Sequence, residues 1–369
     1  MERKKTGLRP ILTASVFIAV IGFFFTAGLL TKPPEIIASE RRGAAKMPAF
    51  SAKTLISGEF MRKFESYAAD SIPLREKLRT LRAAVVFDVF MQTDKDGLYN
   101  TPEGAGKFTP LDADSVSRAA DAIKRVADSL PDMNIYYAFV PDKSVYVGSR
   151  RFPGFDPQEA ESLLTGRPGM EELTFISLTD ALCVDDFYKT DLHWDQTKIS
   201  GVTDALGAVM GFEIDLSGYT KEYAGKFFGV YAGQVAMPMA ADDLYYLSLP
   251  DLTALYLNEN TLTPEYGPVY DIRGFEGNDP YDIFLRGVQP LVILENSAAA
   301  AERELYIFRD SFSSSLAPVL ACAYSKIILI DLRYLDFRMT DQFFEFKPGS
   351  DALFLYGSQI LNNSAVLRA

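Results

Sequence analysis

From Ile11 to Leu30 the chain runs for 20 residues without a charged side chain, and that run dictates the surroundings of everything beside it. As an α-helix it measures about 30 Å, the hydrocarbon thickness of a bilayer. Arg3, Lys4, Lys5 and Arg9 come just before it. Positive charge gathers on the cytoplasmic side of membranes, so the pattern predicts a cytoplasmic terminus (1–10), a single transmembrane anchor (11–30) and export of the residues from 31 onward. Lys32, Pro33 and Pro34 end the helix at the outer interface. The rival reading is a cleaved secretory signal. Such signals have a shorter apolar stretch, about 7–15 residues, and a small-residue cleavage site, and neither feature fits here.

Residues 31–55 are rich in proline, alanine and charge with little periodicity, and read as a tether. The rest, 56–369, has the apolar content of one large folded domain: the chain is 48% apolar and 23% charged. Its 37 basic and 49 acidic residues give a net charge of −12; the first nine residues carry +3, leaving −15 beyond them. An acidic exterior argues against nucleic acid as a partner, because phosphate binding needs a basic surface. Cys183 and Cys322 are too few for a disulfide framework and leave one bridge open. A single histidine with no Cys-x-x-Cys pair argues against a zinc site, and no cofactor is implied.

Periodicity predicts helices at Phe60 to Ala68, Arg75 to Met91 and Ser115 to Leu130, the last with Val116, Ala119, Ala120, Ile123, Ala127 and Leu130 on one face. Asn134 to Val140 reads as a buried strand ending at Pro141-Asp142-Lys143, and Thr197 to Met210 as a further helix. Strand candidates recur at Leu305–Phe308, Lys326–Asp331 and Ala352–Tyr356. This alternation predicts an α/β fold around a mainly parallel sheet. Between about 212 and 300 the pattern changes to aromatic and β-branched clusters among turns, read as a β-containing insertion.

His193 is the only histidine, so any imidazole chemistry happens there. In extended backbone, residues two apart project the same way, which puts the Asp191 carboxylate beside the ring of His193. The missing member is a nucleophile. Leu305 to Phe308 is an apolar run that breaks at Arg309-Asp310-Ser311 and continues in helix-compatible residues. A serine at such a turn is lifted off the carboxyl edge of a sheet, beside the free N–H groups of a helix start. Ser311 is the nucleophile candidate; the competing reading makes Ser311 or Asp310 only a helix cap. Trp194 could stack on a sugar ring or pack inside, and Lys143 could touch an anionic group or sit on an exposed loop. Arg309 could pair with Asp310, Asp331 or a substrate carboxylate.

These segments together resemble a known family. Thr190-Asp191-Leu192-His193-Trp194, Arg309-Asp310-Ser311-Phe312 and Ile330-Asp331-Leu332-Arg333-Tyr334 are similar to the DHHW family of bacterial envelope proteins, relatives of the SGNH-like proteins that O-acetylate alginate. Ser39-Glu40-Arg41-Arg42, Phe64-Glu65-Ser66-Tyr67, Asp70 to Arg75, Asp96-Gly97-Leu98-Tyr99 and Val140 to Lys143 extend the likeness through the amino-terminal half. Leu192 departs from it, since the family's name implies histidine there; the alginate proteins resemble Asp-x-His, so the outer pair is retained as catalytic. The resemblance implies an SGNH-hydrolase-like three-layer fold. It also implies a polysaccharide substrate, a membrane-bound O-acyltransferase partner and residence in the bacterial cell membrane with the catalytic domain outside.

Three functions are compatible with these residues. An O-acyltransferase, acetyl above all, would use Asp191, His193 and Ser311 on an envelope or secreted polysaccharide. A carbohydrate esterase would use the same three residues with water as acceptor. A non-catalytic, membrane-tethered binding or assembly protein would keep the fold with Ser311 and His193 out of each other's reach.

Overall fold

The structure, a computed structural model, describes residues 8–147, 154–257, 263–277 and 279–369. The basic residues Arg3, Lys4 and Lys5 that set the expected orientation lie outside these. The chain divides into two compact units. The first holds the described residues up to Lys95 together with Gly233–Pro238, and the second holds Asp96–Ala232 and Met239–Ala369.

In the first unit, helix α1 (Leu8–Leu30) contains the uncharged run. It is the one helix among the described residues long and apolar enough to cross a membrane, over Arg9–Gly28. Helices α2 (Glu59–Ser71) and α3 (Arg75–Ala84) follow. The expected tether has structure of its own: Ile36–Ile37 pairs antiparallel with Arg42–Gly43. Arg42 forks onto both oxygens of Asp70 at 2.7 Å, and the Ala45 N–H adds a third bond at 2.9 Å. The Arg42 fork holds the Asp70 carboxyl below the ordinary carboxylate range against the pull of burial, with help from Ala45 and Arg75. Arg75 reaches Glu40 at 2.5 Å. These pairs span 28 and 35 residues of sequence. Local composition cannot reveal them, which is why the stretch resembles a linker and why the boundary falls after Lys95 rather than near residue 56.

The second unit opens with a hairpin, β1 (Leu98–Thr101) and β2 (Gly104–Lys107). Helix α4 (Ala113–Ala127), β3 (Asn134–Val140), α5 (Pro157–Thr165), β4 (Thr174–Phe175) and α6 (Ser200–Met210) come next. An outlying hairpin, β5 (Thr220–Phe227) with β6 (Asp242–Ser248), precedes β7 (Leu252–Leu257), β8 (Pro264–Gly267) and β9 (Leu291–Asn296). The chain closes with β10 (Glu304–Arg309), α7 (Phe312–Leu320), β11 (Lys326–Ile330) and β12 (Asp351–Gly357).

Eight strands form one sheet in the order β8-β7-β9-β11-β10-β12-β3-β4. The five from β11 to β4 are parallel; β8, β7 and β9 add to them antiparallel. The stretch read as an insertion thus supplies three strands of the central sheet itself. Side-chain alternation sorts the core into two layers. Leu305, Ile307, Leu353 and Leu355 face α6 and α7, whereas Tyr306, Phe308, Phe354 and Tyr356 face α4 and α5. Strands covered on both faces need apolar residues throughout, and all seven positions of β12 are buried. This is the three-layer α/β architecture expected, with the carboxyl ends of β10, β12 and β3 along one edge.

Candidate active site

Strand β10 runs apolar to its end and then meets Asp310, whose side chain makes the turn. One carboxylate oxygen accepts the N–H of Phe312 at 3.1 Å; the other accepts the N–H of Gly357, at the end of β12, at 2.6 Å. Burial pushes this carboxyl up, and the two N–H bonds oppose the shift. Asp310 thereby fixes the chain on either side of Ser311, which occupies the N-cap of α7 without a capping bond from its side chain. The hydroxyl is free for a different partner.

That partner is His193. Its Nε2 lies 2.8 Å from the Ser311 Oγ, and its Nδ1 lies 2.7 Å from Asp191 Oδ1. A carboxylate at Nδ1 holds the ring proton there and turns the Nε2 lone pair toward the serine. Asp191 is fully buried and His193 nearly so. The loop bearing them is closed by a bridge between Phe187 and Trp194 and by the Tyr188 N–H on the His193 carbonyl at 3.1 Å. Asp191 Oδ1 also accepts the His193 N–H at 3.1 Å, and Oδ2 accepts the Val230 N–H at 2.9 Å. In each of these three bonds the carboxylate is the acceptor. Thr190 is clamped in turn: its N–H and hydroxyl donate to Asp242, and its hydroxyl accepts the Gly229 N–H.

The imidazole has two aromatic neighbours. Tyr281 stacks on it face to face, 3.7 Å between centroids and 5° from parallel, and Phe312 packs at 5.1 Å. Ser315 fixes the stack: its Oγ receives the Tyr281 hydroxyl at 2.7 Å and the Trp194 Nε1–H at 2.8 Å. Leu192 is half-buried against the core. Residue 192 thus packs against the core while its neighbours on either side form the candidate site, and the Asp191–His193–Ser311 hydrogen bonds are made without a second histidine.

The structure brings Asp191, His193 and Ser311 together and places the other three candidates inside the protein. Trp194 is completely buried, edge-on to Phe312, with no face left for a sugar. Arg309 is 1% exposed. It donates to the Asp310 carbonyl, the Ser314 hydroxyl and the Gln289 carbonyl, while Asp331 is taken by Arg333 at 2.6 Å. Burial lowers its pKa. Lys143 is 2% exposed and donates to backbone carbonyls, so it neither reaches a substrate nor sits on an exposed loop. Cys183 and Cys322 are both free thiols.

Sequence reasoning missed Tyr281, the Val230 N–H and Asp242, all supplied from remote positions, and the bond from the Gly357 N–H to Asp310. The one local signal was Gly229. A methyl there would stand 2.3 Å from the Asp191 Cβ and 2.4 Å from the Thr190 carbonyl, closer than any tolerated contact. Gly229→Ala is expected to displace the Asp191 loop and slow nucleophilic labelling of Ser311 by roughly 10- to 100-fold. The rate of adduct formation, followed by intact mass alongside a melting curve, checks this; a folded variant with the parental rate would refute it.

No protein-family model and no curated relative matches the sequence. The fold does have solved counterparts. A DHHW family protein from Eubacterium siraeum is similar over 74% of this chain and 94% of its own, with TM-score 0.61 and 16% identity. PatB1 from Bacillus cereus is similar over 72% of this chain and 97% of its own, with TM-score 0.57 and 19% identity. The same protein with a sulfonyl adduct matches over 72% and 95%, with TM-score 0.56 and 18% identity. This chain therefore has the SGNH-like α/β fold of a DHHW family protein and of PatB1, and the likeness to DHHW proteins carried by its sequence motifs is met at the level of the fold.

Proposed function

We propose that this chain is a membrane-anchored O-acyltransferase that moves an acyl group, acetyl above all, onto a cell-envelope or secreted polysaccharide outside the cell. The observation that carries the reading is the continuous chain of hydrogen bonds from Ser311 through His193 to Asp191, 2.8 and 2.7 Å long. An inert site would keep serine and histidine apart, and these two are in contact. The resemblance of the sequence motifs to alginate O-acetylation proteins supplies the substrate class. Helix α1 supplies the tether, with the second unit outside by the charge rule.

In the proposed reaction the Ser311 Oγ attacks the carbonyl of an acyl donor while His193 Nε2 takes its proton. The developing oxyanion lies at the amino end of α7, where the N–H of Ser311 and the helix dipole face it. His193 returns the proton to the leaving group, and an ester on Ser311 remains. A sugar hydroxyl, deprotonated by the same imidazole, then attacks that ester; the bond from Ser311 Oγ to the acyl carbon breaks, His193 returns the proton to Oγ, and the sugar leaves with the acyl group. A membrane-bound O-acyltransferase would deliver the acyl group across the bilayer to this site.

The test incubates the full chain in detergent micelles with 4-nitrophenyl acetate and candidate polysaccharides, measuring polymer-bound acetyl and free acetate. Transfer to polymer in excess of release to water supports the proposal. Acetate release with no polymer ester in any acceptor would identify an esterase instead.

A further inference from the structure

We infer that Lys143 is a positioning residue for the triad: its ammonium fills a cage of backbone carbonyls and thereby holds the loop of Asp191 and His193 in register with Ser311. This rests on the proposed role of Ser311, His193 and Asp191 as a catalytic triad. Lys143 follows the carboxyl end of β3, where Asp142 accepts the Ser144 N–H at 2.8 Å and turns the chain inward. The side chain then runs beneath the catalytic loop. Its Nζ donates to the carbonyls of Tyr188 at 2.6 Å, Ala105 at 2.9 Å and Lys189 at 3.1 Å, with the Asp191 carbonyl at 3.4 Å. Every one of these partners is a main-chain oxygen.

Three of the four carbonyls belong to Tyr188–Asp191, the residues that lead into the triad. The fourth belongs to β2, and the cage is tight there. The Ala105 N–H donates to the Lys189 carbonyl at 2.8 Å, and a Cβ on Gly104 would lie 2.5 Å from that oxygen and 3.1 Å from Nζ. Carbonyl oxygens turned toward one point repel each other, and a buried cation between them removes the repulsion. Asp191 is therefore held from two sides, by Lys143 at its carbonyl and by Val230 at its carboxylate. The same converging oxygens would accept a small free ammonium ion if the lysine side chain were cut away.

The groups facing Lys143 are Asp142 beside it, Asp191 and Lys189 from the loop, and Asp242 from β6. Burial pushes its pKa down to about 8, against the pull of the three carboxylates and with a small push from Lys189. As pH rises through that value the nitrogen loses an N–H and turns a lone pair toward carbonyl oxygens. The loop relaxes, and reaction at Ser311 slows on the alkaline side.

The test measures sulfonylation of Ser311 by phenylmethanesulfonyl fluoride in the full chain in detergent, by intact mass, with Ser311→Ala as reference. Lys143→Ala should slow labelling roughly 10- to 100-fold. Methylammonium should restore the rate saturably, whereas tetramethylammonium, equally charged but without N–H donors, should not. Lys143→Arg, always charged, should lose the alkaline limb of the parent near pH 8. A folded Lys143→Ala with parental rate, a loss that methylammonium leaves untouched, or a Lys143→Arg profile that keeps the limb would each overturn the inference. If the parent itself takes no adduct, the triad reading fails instead. The cage is then judged by melting: methylammonium must raise the Tm of Lys143→Ala and not that of the parent.

Discussion

Ser311→Ala is expected to take no acyl or sulfonyl adduct and to transfer acetyl at a rate lower by about 10³-fold or more, while keeping its fold. The hydroxyl has no structural task that alanine would leave undone. Its side chain does not cap α7, and its bond is to His193 Nε2. Turn geometry belongs to Asp310, which accepts the N–H groups of Phe312 and Gly357 with the serine side chain uninvolved. Loss of reaction with an unchanged melting curve is thus a chemical effect. The measurement is intact mass after incubation with 4-nitrophenyl acetate or the sulfonyl fluoride, followed by peptide mapping. An adduct of equal yield in the variant would place the nucleophile elsewhere.

Asp191→Asn should be comparably severe, by about 10⁴-fold in rate, through the tautomer of His193. The carboxylate accepts at both oxygens: the Nδ1–H and N–H of His193 at Oδ1, and the Val230 N–H at Oδ2. A carboxamide has a single acceptor oxygen, so its NH₂ must meet one of these donors. Placed at Oδ2, it opposes the Val230 N–H and leaves a buried donor unsatisfied, costing about 1–3 kcal/mol. Placed at Oδ1, it donates to Nδ1, shifts the ring proton to Nε2 and removes the lone pair that Ser311 needs. Labelling kinetics beside a thermal melt separate the two arrangements. A labelling rate within a few-fold of the parent would show that Asp191 does not orient the imidazole.

The fold is readable where local pattern suffices. Asn134–Val140 has the strand bounds that its apolar run implies. The α4 face of Val116, Ala119, Ala120 and Ile123 is buried as its spacing requires. The change from Leu305–Phe308 to the polar Asp310-Ser311 step marks a strand, turn and helix. Each depends on neighbours within a few residues, where backbone stereochemistry and side-chain period act directly. Residues 31–55 and 212–300 mislead for the opposite reason. Arg42 finds Asp70 across 28 residues, and β9 pairs with β11 from Leu291 with Ile330 onward. Nothing local encodes those distances.

Within the site the division has the same physical origin. Asp191 and His193 lie two residues apart in sequence, so an extended loop is enough to put carboxylate and imidazole on one side. Ser311 stands out because a serine after an apolar strand and before a helix start has few other shapes available. Residue type alone, however, cannot say that Lys143, Trp194 and Arg309 lie inside. A long polar side chain reaches outward or inward depending on which acceptors the fold gathers around it. Here those acceptors are the carbonyls of Tyr188 and Ala105, the Ser315 hydroxyl and the Gln289 carbonyl. Tyr281 over His193 and Val230 against Asp191 likewise exist only once remote segments meet. The chain carries Asp191, His193 and Ser311, and the turn that lifts the serine, in its primary structure. The packing of distant backbone N–H and C=O groups around them, which have no residue identity to read, is what aligns the three.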